Sequence, residues 1–340
     1  MIDLVVAGGG PVGLATALYA ARAGLQVVVH EPRTGTIDKA CGEGLMPGAV
    51  TALAELGVDP AGRALAGIDY RCGRVFAQAT FRDGAGRGVR RTVLHDALRS
   101  AVADAGVDVV AAAVTHVDLR STAVVVDGTP ARYLVAADGL HSPTRRRMGL
   151  DVPAVQHRRH GLRLHATVAP WSDHVEVHWA PDAEAYVTPV ADDVVGIALL
   201  TARRGSFHDQ LVWFPCLQER LQGAALSSVR GAGPLRQRSS RRVAGRVLLV
   251  GDASGYVDAL TGEGIALGLA QARSAVDAVA AGNPRSYERA WRRITWRYRW
   301  GTTALVQATR VPLVRRRLVP ASAALPGVFS AAVNELARPV

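Results

Sequence analysis

Lysine is nearly absent from this chain: of its 40 basic residues, Lys39 alone is a lysine and the others are arginines. Cysteine is also scarce. The thiols of Cys41, Cys72 and Cys216 have neither the C-x-x-C spacing of a metal site nor the even number of a disulfide framework. We therefore expect reduced thiols in a cytoplasmic protein, with Cys72 and Cys216 packed as small core residues. No apolar run reaches the roughly 18 residues of a membrane span, so we expect neither a signal peptide nor a transmembrane helix.

The basic character of the chain is spread along it. The net charge is +11, and the arginines occur in short groups such as 145–147, 203–204 and 315–317. None of these groups belongs to a nucleic-acid-binding motif, so we expect no nucleic-acid partner. With 340 residues and 49% hydrophobic content, the chain can bury one large core or two moderate ones.

The first thirty residues have the pattern strand, glycine turn, helix, strand and acid. An apolar run at residues 3–7 is followed by the turn GGGPVG, a segment of helical periodicity and a second apolar run that ends at Glu31. Gly8 permits a tight turn, Gly10 lets a pyrophosphate approach the backbone, and Gly13 lets the helix pack closely on the strand. The helix N-terminus stabilises the phosphate charge, and Glu31 can accept hydrogen bonds from a ribose. This pattern predicts a dinucleotide site, without distinguishing FAD from NAD.

Two later segments favour FAD. Residues 247–250 form an apolar run that ends in Gly251-Asp252, and the sequence TGEG at residues 261–264 opens a second helical segment. The sugar-alcohol chain of a flavin needs an acceptor carboxylate close to the backbone, which Asp252 supplies. Reduced flavin carries negative charge that the amides of the TGEG turn and the helix dipole would stabilise.

The stretch GDASGYVDALTGEGIALG at residues 251–268 resembles the flavin motif of one superfamily of FAD-dependent oxidoreductases. This superfamily contains the single-component aromatic hydroxylases, the geranylgeranyl reductases and the flavin halogenases. YLVAADGLHSPTR at residues 133–145 resembles its Asp-Gly motif, and Arg91, which opens a predicted helix, resembles an arginine that contacts FAD. The alternative for Arg91 is an exposed residue at a helix start. The matched motifs run from residue 3 to about residue 282 and are closest to the geranylgeranyl reductase-like branch.

The resemblance implies an α/β fold like that of p-hydroxybenzoate hydroxylase, with FAD as cofactor and NAD(P)H as reductant. In this fold a Rossmann-like FAD-binding domain is interleaved with a mixed β-sheet substrate domain and followed by C-terminal helices. The implied cofactor-binding residues are Gly8, Gly10, Pro11, Val12, Gly13, Glu31, Pro32, Arg33, Arg91, Asp138, Gly139, Gly251, Asp252, Gly262, Glu263, Gly264 and Ile265.

The domain organisation follows from these anchors. Residues 66–82 alternate as a hairpin does, and residues 158–201 contain several strand-like runs. We expect the FAD-binding domain at 1–60, 88–150 and 240–283, the substrate sheet at 61–87 and 151–239, and a helical region at 284–340. In the helical region, Tyr287, Trp291, Ile294 and Tyr298 share one helical stripe, which predicts packing on the domain. The basic, partly amphipathic tail either packs on the domain as well or makes a peripheral contact with a membrane.

The segment DKACGEGLMP at residues 38–47 falls just after the second predicted strand. In the superfamily the chain there crosses the FAD toward the isoalloxazine, so the resemblance places this loop beside the flavin and the substrate. We expect Glu43 to handle protons and Cys41 to contact substrate or donate a weak hydrogen bond. The predicted catalytic residues are therefore Glu43 and Cys41, and the predicted substrate residues are Cys41, Gly42, Tyr186 and Pro189.

Three reactions are carried out on this scaffold, and the sequence supports them unevenly. Hydroxylases usually have a histidine soon after their Gly-Asp and a proline before the glycine turn, where this chain has Ser254-Gly255-Tyr256 and Leu260-Thr261. CGEGL resembles a geranylgeranyl reductase segment, yet of the reductases' Tyr-x-Trp-x-Phe-Pro element only Tyr186 and Pro189 are present. The Trp-x-Trp-x-Ile-Pro element of halogenases is missing, which argues against Lys39 as a halogen-carrying lysine.

We favour FAD-dependent hydroxylation of a lipophilic phenolic or polyketide-like metabolite, because this scaffold often hydroxylates. Reduction of a prenyl or polyene double bond is the alternative, and a non-catalytic flavin-binding protein is the third. The pattern gives no oligomeric state. His174, Glu176 and His178 would share a strand face, but with no further ligand we expect a solvated face and no metal site. Ser254 lacks the G-x-S-x-G spacing of a hydrolase nucleophile.

Overall fold

The computed structural model describes residues 1–153 and 159–338. Residues 154–158, in the predicted substrate segment 151–239, and residues 339–340, in the predicted helical region, lie outside the described residues. The strands are β1 (Ile2–Ala7), β2 (Val27–His30), β3 (Gly44–Leu45), β4 (Arg63–Leu65), β5 (Gly67–Cys72), β6 (Val75–Thr80), β7 (Gly86–Gly88), β8 (Asp108–Val110), β9 (Val117–Leu119), β10 (Val124–Val126), β11 (Thr129–Ala136), β12 (Asp151–Val152), β13 (His160–Thr167), β14 (His174–Trp179), β15 (Ala183–Pro189), β16 (Val194–Thr201), β17 (Ala225–Leu226), β18 (Arg230–Ala232), β19 (Arg238–Ser239), β20 (Val243–Ala244) and β21 (Val247–Leu249). The helices are α1 (Pro11–Arg22), α2 (Pro47–Glu55), α3 (Arg91–Asp104), α4 (Pro143–Arg147), α5 (Phe207–Leu211), α6 (Pro215–Arg220), α7 (Gly264–Ala280), α8 (Ser286–Ala308), α9 (Pro312–Ala324) and α10 (Pro326–Ala337), with a 3₁₀ turn at Gly251–Ser254.

A largely parallel sheet has the strand order β20-β21-β11-β1-β2-β8. β1 pairs in parallel with both β11 and β2, and β21 and β8 extend the sheet in parallel on either side. Apolar side chains fill its centre, because a parallel strand is covered on both faces. Leu4, Val5 and Val6 of β1 are fully buried. The sheet therefore has the Rossmann-like arrangement that the sequence predicts.

Glycines allow two close approaches beside this sheet. A Cβ on Gly13 would lie 1.8 Å from the carbonyl oxygen of Gly8, so the start of α1 can pack on the end of β1 only without a side chain there. A Cβ on Gly268 of α7 would lie 2.4 Å from Cγ2 of Val12 in α1. The two helices therefore approach closely where β1 and β21 end.

A second, mixed sheet has the order β17-β13-β16-β15-β14-β5-β6, and β18 also pairs with β13. The predicted hairpin at 66–82 is present as β5 and β6. β14 pairs in parallel with β5 and antiparallel with β15. A three-stranded sheet, β3-β7-β4, brings the loop after Cys41 against the strand that precedes α3. The predicted domain boundaries remain predictions, but strands distant in the chain do form each sheet.

The C-terminal helices pack on both parts of the molecule. Tyr287, Trp291 and Tyr298 of α8 are buried and Ile294 is partly buried, as the predicted stripe requires. α9 and α10 pack on β6. Arg315 of α9 donates from Nη2 to the carbonyl oxygen of Ala183 at 2.8 Å, and its Nη1 lies 2.7 Å from Oε1 of the buried Glu184. This ion pair joins α9 to β15.

Three sequence expectations about exposure are wrong. Cys216 is exposed and Cys72 is only partly buried, so neither is a core residue. The face of β14 that carries Glu176 is not solvated, because β14 is an interior strand. Glu176 is 1% exposed, and its Oε2 lies 2.9 Å from Nε2 of His178. Arg71 provides a further charge partner at 3.1 Å.

Two further expectations concern metals and membranes. Within residues 1–153 and 159–338, no three acidic, histidine or cysteine side chains converge as metal ligands do. Among the helices of these same residues, none combines the length and the apolar character needed to span a bilayer.

Candidate active site

The glycine turn after β1 has the geometry of an anion cradle. Gly8 has a φ of +105°, a left-handed conformation that glycine adopts without strain. Gly10 lies in extended conformation at the N-cap of α1, and Pro11 and Val12 begin the helix. The amides of the first helical turn have no partner within the helix, so they point at any phosphate placed against this turn.

Arg91 lies opposite the glycine turn. Its side chain is buried, and Nη1 has no hydrogen-bond partner within the described residues. Nη2 lies 4.0 Å from the position that a Cβ on Gly10 would occupy. Burial lowers the pKa of this guanidinium. The alternative of an exposed helix-start residue is therefore wrong, and a buried cation with an unpaired donor is suited to a pyrophosphate.

A cleft of about 160 Å³ lies beside the cradle, where the adenosine half of FAD would fit. Glu31, which follows β2, accepts a hydrogen bond from the amide of Gly9 at 2.8 Å and pairs with Nε of Arg33 at 2.7 Å. Burial opposes ionisation of Glu31, but the hydrogen bonds from Arg33 and Gly9 outweigh it and lower the pKa of this carboxyl. Pro32 is exposed at the same bend.

His95 also lines this cleft, although the sequence did not indicate it. It lies one turn after Arg91 on α3. Its Nδ1 accepts from the amide of Ile37 at 3.2 Å, so we assign the ring proton to Nε2, which then donates to the carbonyl oxygen of Gly9 at 3.0 Å. Burial lowers the pKa of this imidazole, which keeps it neutral. The i,i+4 spacing from Arg91 was the available signal.

Asp252 and Asp138 lie at the ends of neighbouring strands. Gly251 turns with a φ of +57°, and its amide donates to Oε1 of Gln271 at 2.8 Å. Burial raises the pKa of Asp252, and the positive charges of Lys39, Arg145 and Arg91 act against that rise. Oδ2 of Asp138 accepts from the amide of Thr144 at 2.9 Å, and its buried Oδ1 has no partner within the described residues.

Lys39 extends into the same region. Its Nζ lies 3.5 Å from the position that a Cβ on Gly139 would occupy. The structure therefore brings this single lysine to the two strand ends where the predicted flavin residues converge.

The TGEG turn closes the other side of the site. Gly262 has a φ of +73°, and Glu263 is the N-cap residue of α7, followed by Gly264 and Ile265. Glu263 is buried, and its Oε2 has no partner within the described chain. Burial raises the pKa of this carboxyl to about 7. Near neutral pH, a Glu263 carboxyl with this pKa is protonated in about half of the molecules, whereas an ordinary glutamate has lost its proton.

Glu43 lies at the junction between the two sheets. Its Oε1 accepts from the amide of Arg91 at 2.8 Å, and its Oε2 lies 2.7 Å from Nε2 of His165 on β13. Its backbone φ of +61° is rare for a residue other than glycine or asparagine. A Cβ on Gly196 would come within 2.7 Å of Oε2, so β16 leaves room for this carboxylate. The geometry gives Glu43 a positioning function, and its predicted catalytic role stays a prediction.

His165 and Arg163 are further residues that the sequence did not indicate. Nη1 of Arg163 donates to Nδ1 of His165 at 3.2 Å, which assigns the ring proton to the Nε2 that faces Glu43. Nη2 of Arg163 also binds Asp38 and the carbonyl oxygen of Lys39. The mixed sheet therefore holds both ends of the loop that contains Cys41.

The four predicted substrate residues lie on neighbouring segments. Gly42 accepts a hydrogen bond through its carbonyl oxygen from Thr188 of β15 at 2.8 Å. Tyr186, also on β15, donates its hydroxyl to the carbonyl oxygen of Leu260 at 2.9 Å, just before the TGEG turn. Cys41 accepts at Sγ from the amide of Glu43 at 3.4 Å, and burial raises the pKa of this thiol.

Pro189, at the end of β15, is the fourth predicted substrate residue. It packs against Gly88 of β7, where a Cβ would lie 1.7 Å from the Pro189 carbonyl oxygen. Its contact is therefore with the small three-stranded sheet.

We predict that Arg91→Met weakens FAD binding by about 10- to 100-fold, because a charge-assisted hydrogen bond contributes about 1.5–3 kcal/mol. Flavin fluorescence titration of the apoprotein measures the change. Arg90→Met is the matched control, since Arg90 is exposed and precedes α3. Unchanged FAD affinity in a folded Arg91→Met protein would remove Arg91 from the cofactor site.

We predict that Glu263→Gln changes the pH dependence of stability. The folded-state pKa of about 7 is above the ordinary value of 4.5, so the folded protein binds the proton more tightly. The stability due to Glu263 is complete below the ordinary value and is lost at roughly 1.4 kcal/mol per pH unit up to the folded pKa. Over this pH range, the free energy of unfolding of Glu263→Gln should therefore rise relative to that of wild type, by about 3 kcal/mol in total.

Urea unfolding of the FAD-saturated proteins at a series of pH values measures this difference. Glu219→Gln on the exposed side of α6 is the control and should run parallel to wild type. A constant difference between Glu263→Gln and wild type would contradict the assignment.

Known proteins resemble this chain in sequence and in fold. The menaquinone reductase of Mycolicibacterium smegmatis is 30% identical over 328 aligned positions, which cover 85% of this chain and 79% of the relative. A geranylgeranyl bacteriochlorophyll reductase-like structure from Thermoplasma acidophilum superposes with a TM-score of 0.76 at 20% identity, covering 98% and 91% of the two chains. The p-nitrophenol 4-monooxygenase of Pseudomonas putida superposes with a TM-score of 0.74 at 17% identity, covering 98% of each chain. These two structures show the fold alone. Residues 1–282 match the family model described as FAD binding domain, and the chain therefore belongs to this family, as an FAD-dependent oxidoreductase.

Proposed function

We propose that the protein is an FAD-dependent reductase that saturates a carbon–carbon double bond in the prenyl chain of a quinone or a related isoprenoid lipid. The observation that carries this proposal is the 30% identity, over most of both chains, to a protein named menaquinone reductase. Menaquinone is a naphthoquinone with a prenyl chain. The proposal differs from the hydroxylation that the sequence alone favours.

The apolar side of the site supports a lipophilic substrate. One hydrophobic cluster joins Met46 of the Cys41 loop, Leu260 before the TGEG turn and Val177 of β14 to Val306 and Phe329 of the C-terminal helices. Met46 also approaches the TGEG turn directly, because its Cε lies 3.2 Å from the Cβ position of Gly262. A hydrocarbon chain that packed against this cluster would be stabilised by about 25 cal/mol for each Å² of apolar surface removed from water.

The inner face of the mixed sheet supports a narrow chain. Arg163, Ala198 and Tyr186 lie side by side on β13, β16 and β15 by register. Ala198 is half-buried although its neighbours Ile197 and Leu199 are fully buried in the same central strand. A small side chain with open space before it would accommodate one prenyl segment against Tyr186.

When bound, FAD supplies the hydride for such a reduction. The chain itself must then deliver a proton to the second carbon of the double bond. Cys41 holds a thiol whose pKa is raised by burial, and the amide of Glu43 occupies one lone pair on Sγ and leaves the S–H free. We assign the proton to Cys41 Sγ, while Glu43 positions the loop and the apolar cluster excludes water. NAD(P)H is the proposed reductant.

Hydroxylation of a phenolic or polyketide-like metabolite is the competing function. The fold also occurs in a monooxygenase. The position two residues after Asp252, however, is Ser254, which is fully buried. Its Oγ donates to the Gly251 carbonyl oxygen at 2.7 Å and accepts from Nε1 of Trp291 at 2.9 Å. Ser254 therefore joins the turn at Gly251–Ser254 to α8. It occupies the segment in which hydroxylases usually have a histidine, which disfavours hydroxylation.

We predict that the FAD-loaded protein, given NADPH and menaquinone in detergent under argon, forms a product heavier by two hydrogens. Mass spectrometry after reoxidation in air is the measurement. A reduced quinone ring returns to the starting mass on reoxidation, whereas a saturated prenyl bond keeps the gain. A product with one added oxygen, formed only in air, would instead establish hydroxylation. An absence of product with any prenylated quinone or phenol would favour a non-catalytic flavoprotein.

We predict that Cys41→Ala lowers kcat by on the order of 100-fold while FAD content stays unchanged, because a positioned proton donor contributes about that factor. Cys72→Ala, at a partly buried thiol on β5, is the control and should keep full turnover. Turnover in D₂O should place one deuterium on the reduced bond of the wild-type product. Full activity in Cys41→Ala would assign the loop to scaffolding alone.

A further inference from the structure

We propose that the outer face of α8 and the adjoining start of α9 bind the surface of an anionic phospholipid bilayer. We name this surface the Arg-Trp face. It consists of the exposed residues Arg289, Arg292, Arg293, Trp296 and Trp300 on α8, with Leu313, Val314, Arg316 and Arg317 on α9. No residue of this face belongs to the flavin site.

Charge distribution is the first observation. Residues 285–338 contain eleven arginines and two glutamates, which gives +9 of the net charge of +11 for the whole chain. The remaining residues are therefore close to neutral as a set. Clustered arginines near a bilayer that contains anionic lipids each contribute about 1 kcal/mol to binding.

The pattern on α8 is the second observation. Tyr287, Trp291 and Tyr298 are buried on one side of the helix, and Trp296 and Trp300 are 58% and 74% exposed on the other. These two tryptophans are four residues apart, so they lie on one stripe. Arg289 and Arg293 continue the same stripe toward the N-terminus and are also exposed. Solvation explains the arginines, but it does not explain two large aromatic surfaces left in water.

The beginning of α9 extends the face around a corner. Leu313 is 66% exposed and Val314 is 41% exposed, and Arg316 and Arg317 follow within one turn. Arg315 points the other way and pairs with Glu184, which holds this turn of α9 against β15. Because Arg315 is held on the β15 side of the helix, Leu313 and Val314 remain exposed on the other side.

A bilayer fits this composition better than a second copy of the chain. A two-fold contact through the face would place arginines of one copy opposite arginines of the other, which is repulsive. Tryptophan, in contrast, is enriched at the headgroup level of membranes because its ring is apolar and its N–H is polar. Arginine can bury its stem there while its guanidinium contacts phosphate.

The position of α8 places the proposed membrane contact close to the candidate active site. The buried side of the same helix, through Trp291, Thr295 and Tyr298, lines a cavity that Asp252 and Tyr256, in the segment after β21, also line. One helix therefore separates the Arg-Trp face from the site. A bilayer bound at this face would therefore lie about one helix diameter, roughly 10–12 Å, from this cavity.

Vesicle co-sedimentation of the FAD-loaded full chain tests the proposal. Wild type should bind vesicles of phosphatidylcholine with phosphatidylglycerol, should not bind phosphatidylcholine alone, and should dissociate at high salt. The triple variant Arg289→Gln/Arg292→Gln/Arg293→Gln should bind on the order of 100-fold more weakly. The double variant Trp296→Ser/Trp300→Ser should also bind more weakly and should lose the blue shift of tryptophan emission on vesicle addition.

Matched controls lie elsewhere on the surface. Arg74→Gln/Arg204→Gln/Arg241→Gln removes three exposed arginines outside the face, and Trp213→Ser removes a tryptophan that is 45% exposed near α5. Both controls should bind as wild type does, and all variants should keep FAD and turnover on detergent-dispersed substrate. Equal binding to neutral and anionic vesicles, unchanged binding in both test variants, or a wild-type dimer that the tryptophan variant dissociates would each overturn the proposal. Vesicle binding needs no turnover, so its outcome is independent of the proposed reaction.

Discussion

The buried carboxylate of Glu43 is the interaction on which the rest of the site depends. It accepts from the first amide of α3 and from His165 of the mixed sheet, so one side chain joins α3 to that sheet. Removing one partner would leave a buried acceptor without its hydrogen bond, which costs about 1–3 kcal/mol. The same contact sets the start of α3, and through it the direction in which Arg91 faces the glycine turn. The left-handed turn at Glu43 also sets the path of the preceding Cys41 and Gly42.

Arg163 extends this constraint to the beginning of the loop. Its guanidinium contacts His165, Asp38 and the carbonyl oxygen of Lys39, so the loop is held at both ends by neighbouring positions of one strand. A histidine between a carboxylate and a guanidinium has a single compatible tautomer, which makes the arrangement specific. The loop at residues 38–47 is therefore positioned by the mixed sheet and not by its own two glycines alone.

The sequence predicts the local parts of this site and not the distant ones. The glycine turn, Glu31 and Asp252 could be proposed from the sequence because each follows an apolar strand within a few residues, and the helix opened by Arg91 is amphipathic. His165 lies 122 residues from Glu43, and no periodicity reports such a pairing. The burial of Glu176 was missed for a related reason: strand alternation gives which residues share a face, but only sheet order shows that β14 is interior.

The cofactor motifs explain little of what distinguishes one reaction from another on this scaffold. They recur in reductases and monooxygenases alike because all of them hold the same dinucleotide. In the proposed reductase, the choice of reaction and substrate would therefore come from the small side chains on β16, the phenol on β15 and the apolar residues of the C-terminal helices. Those helices also carry most of the net positive charge on their outer side. The proposed prenyl substrate partitions into membranes when it is free, so helices that packed against it on their inner side would be well placed to contact the bilayer on their outer side.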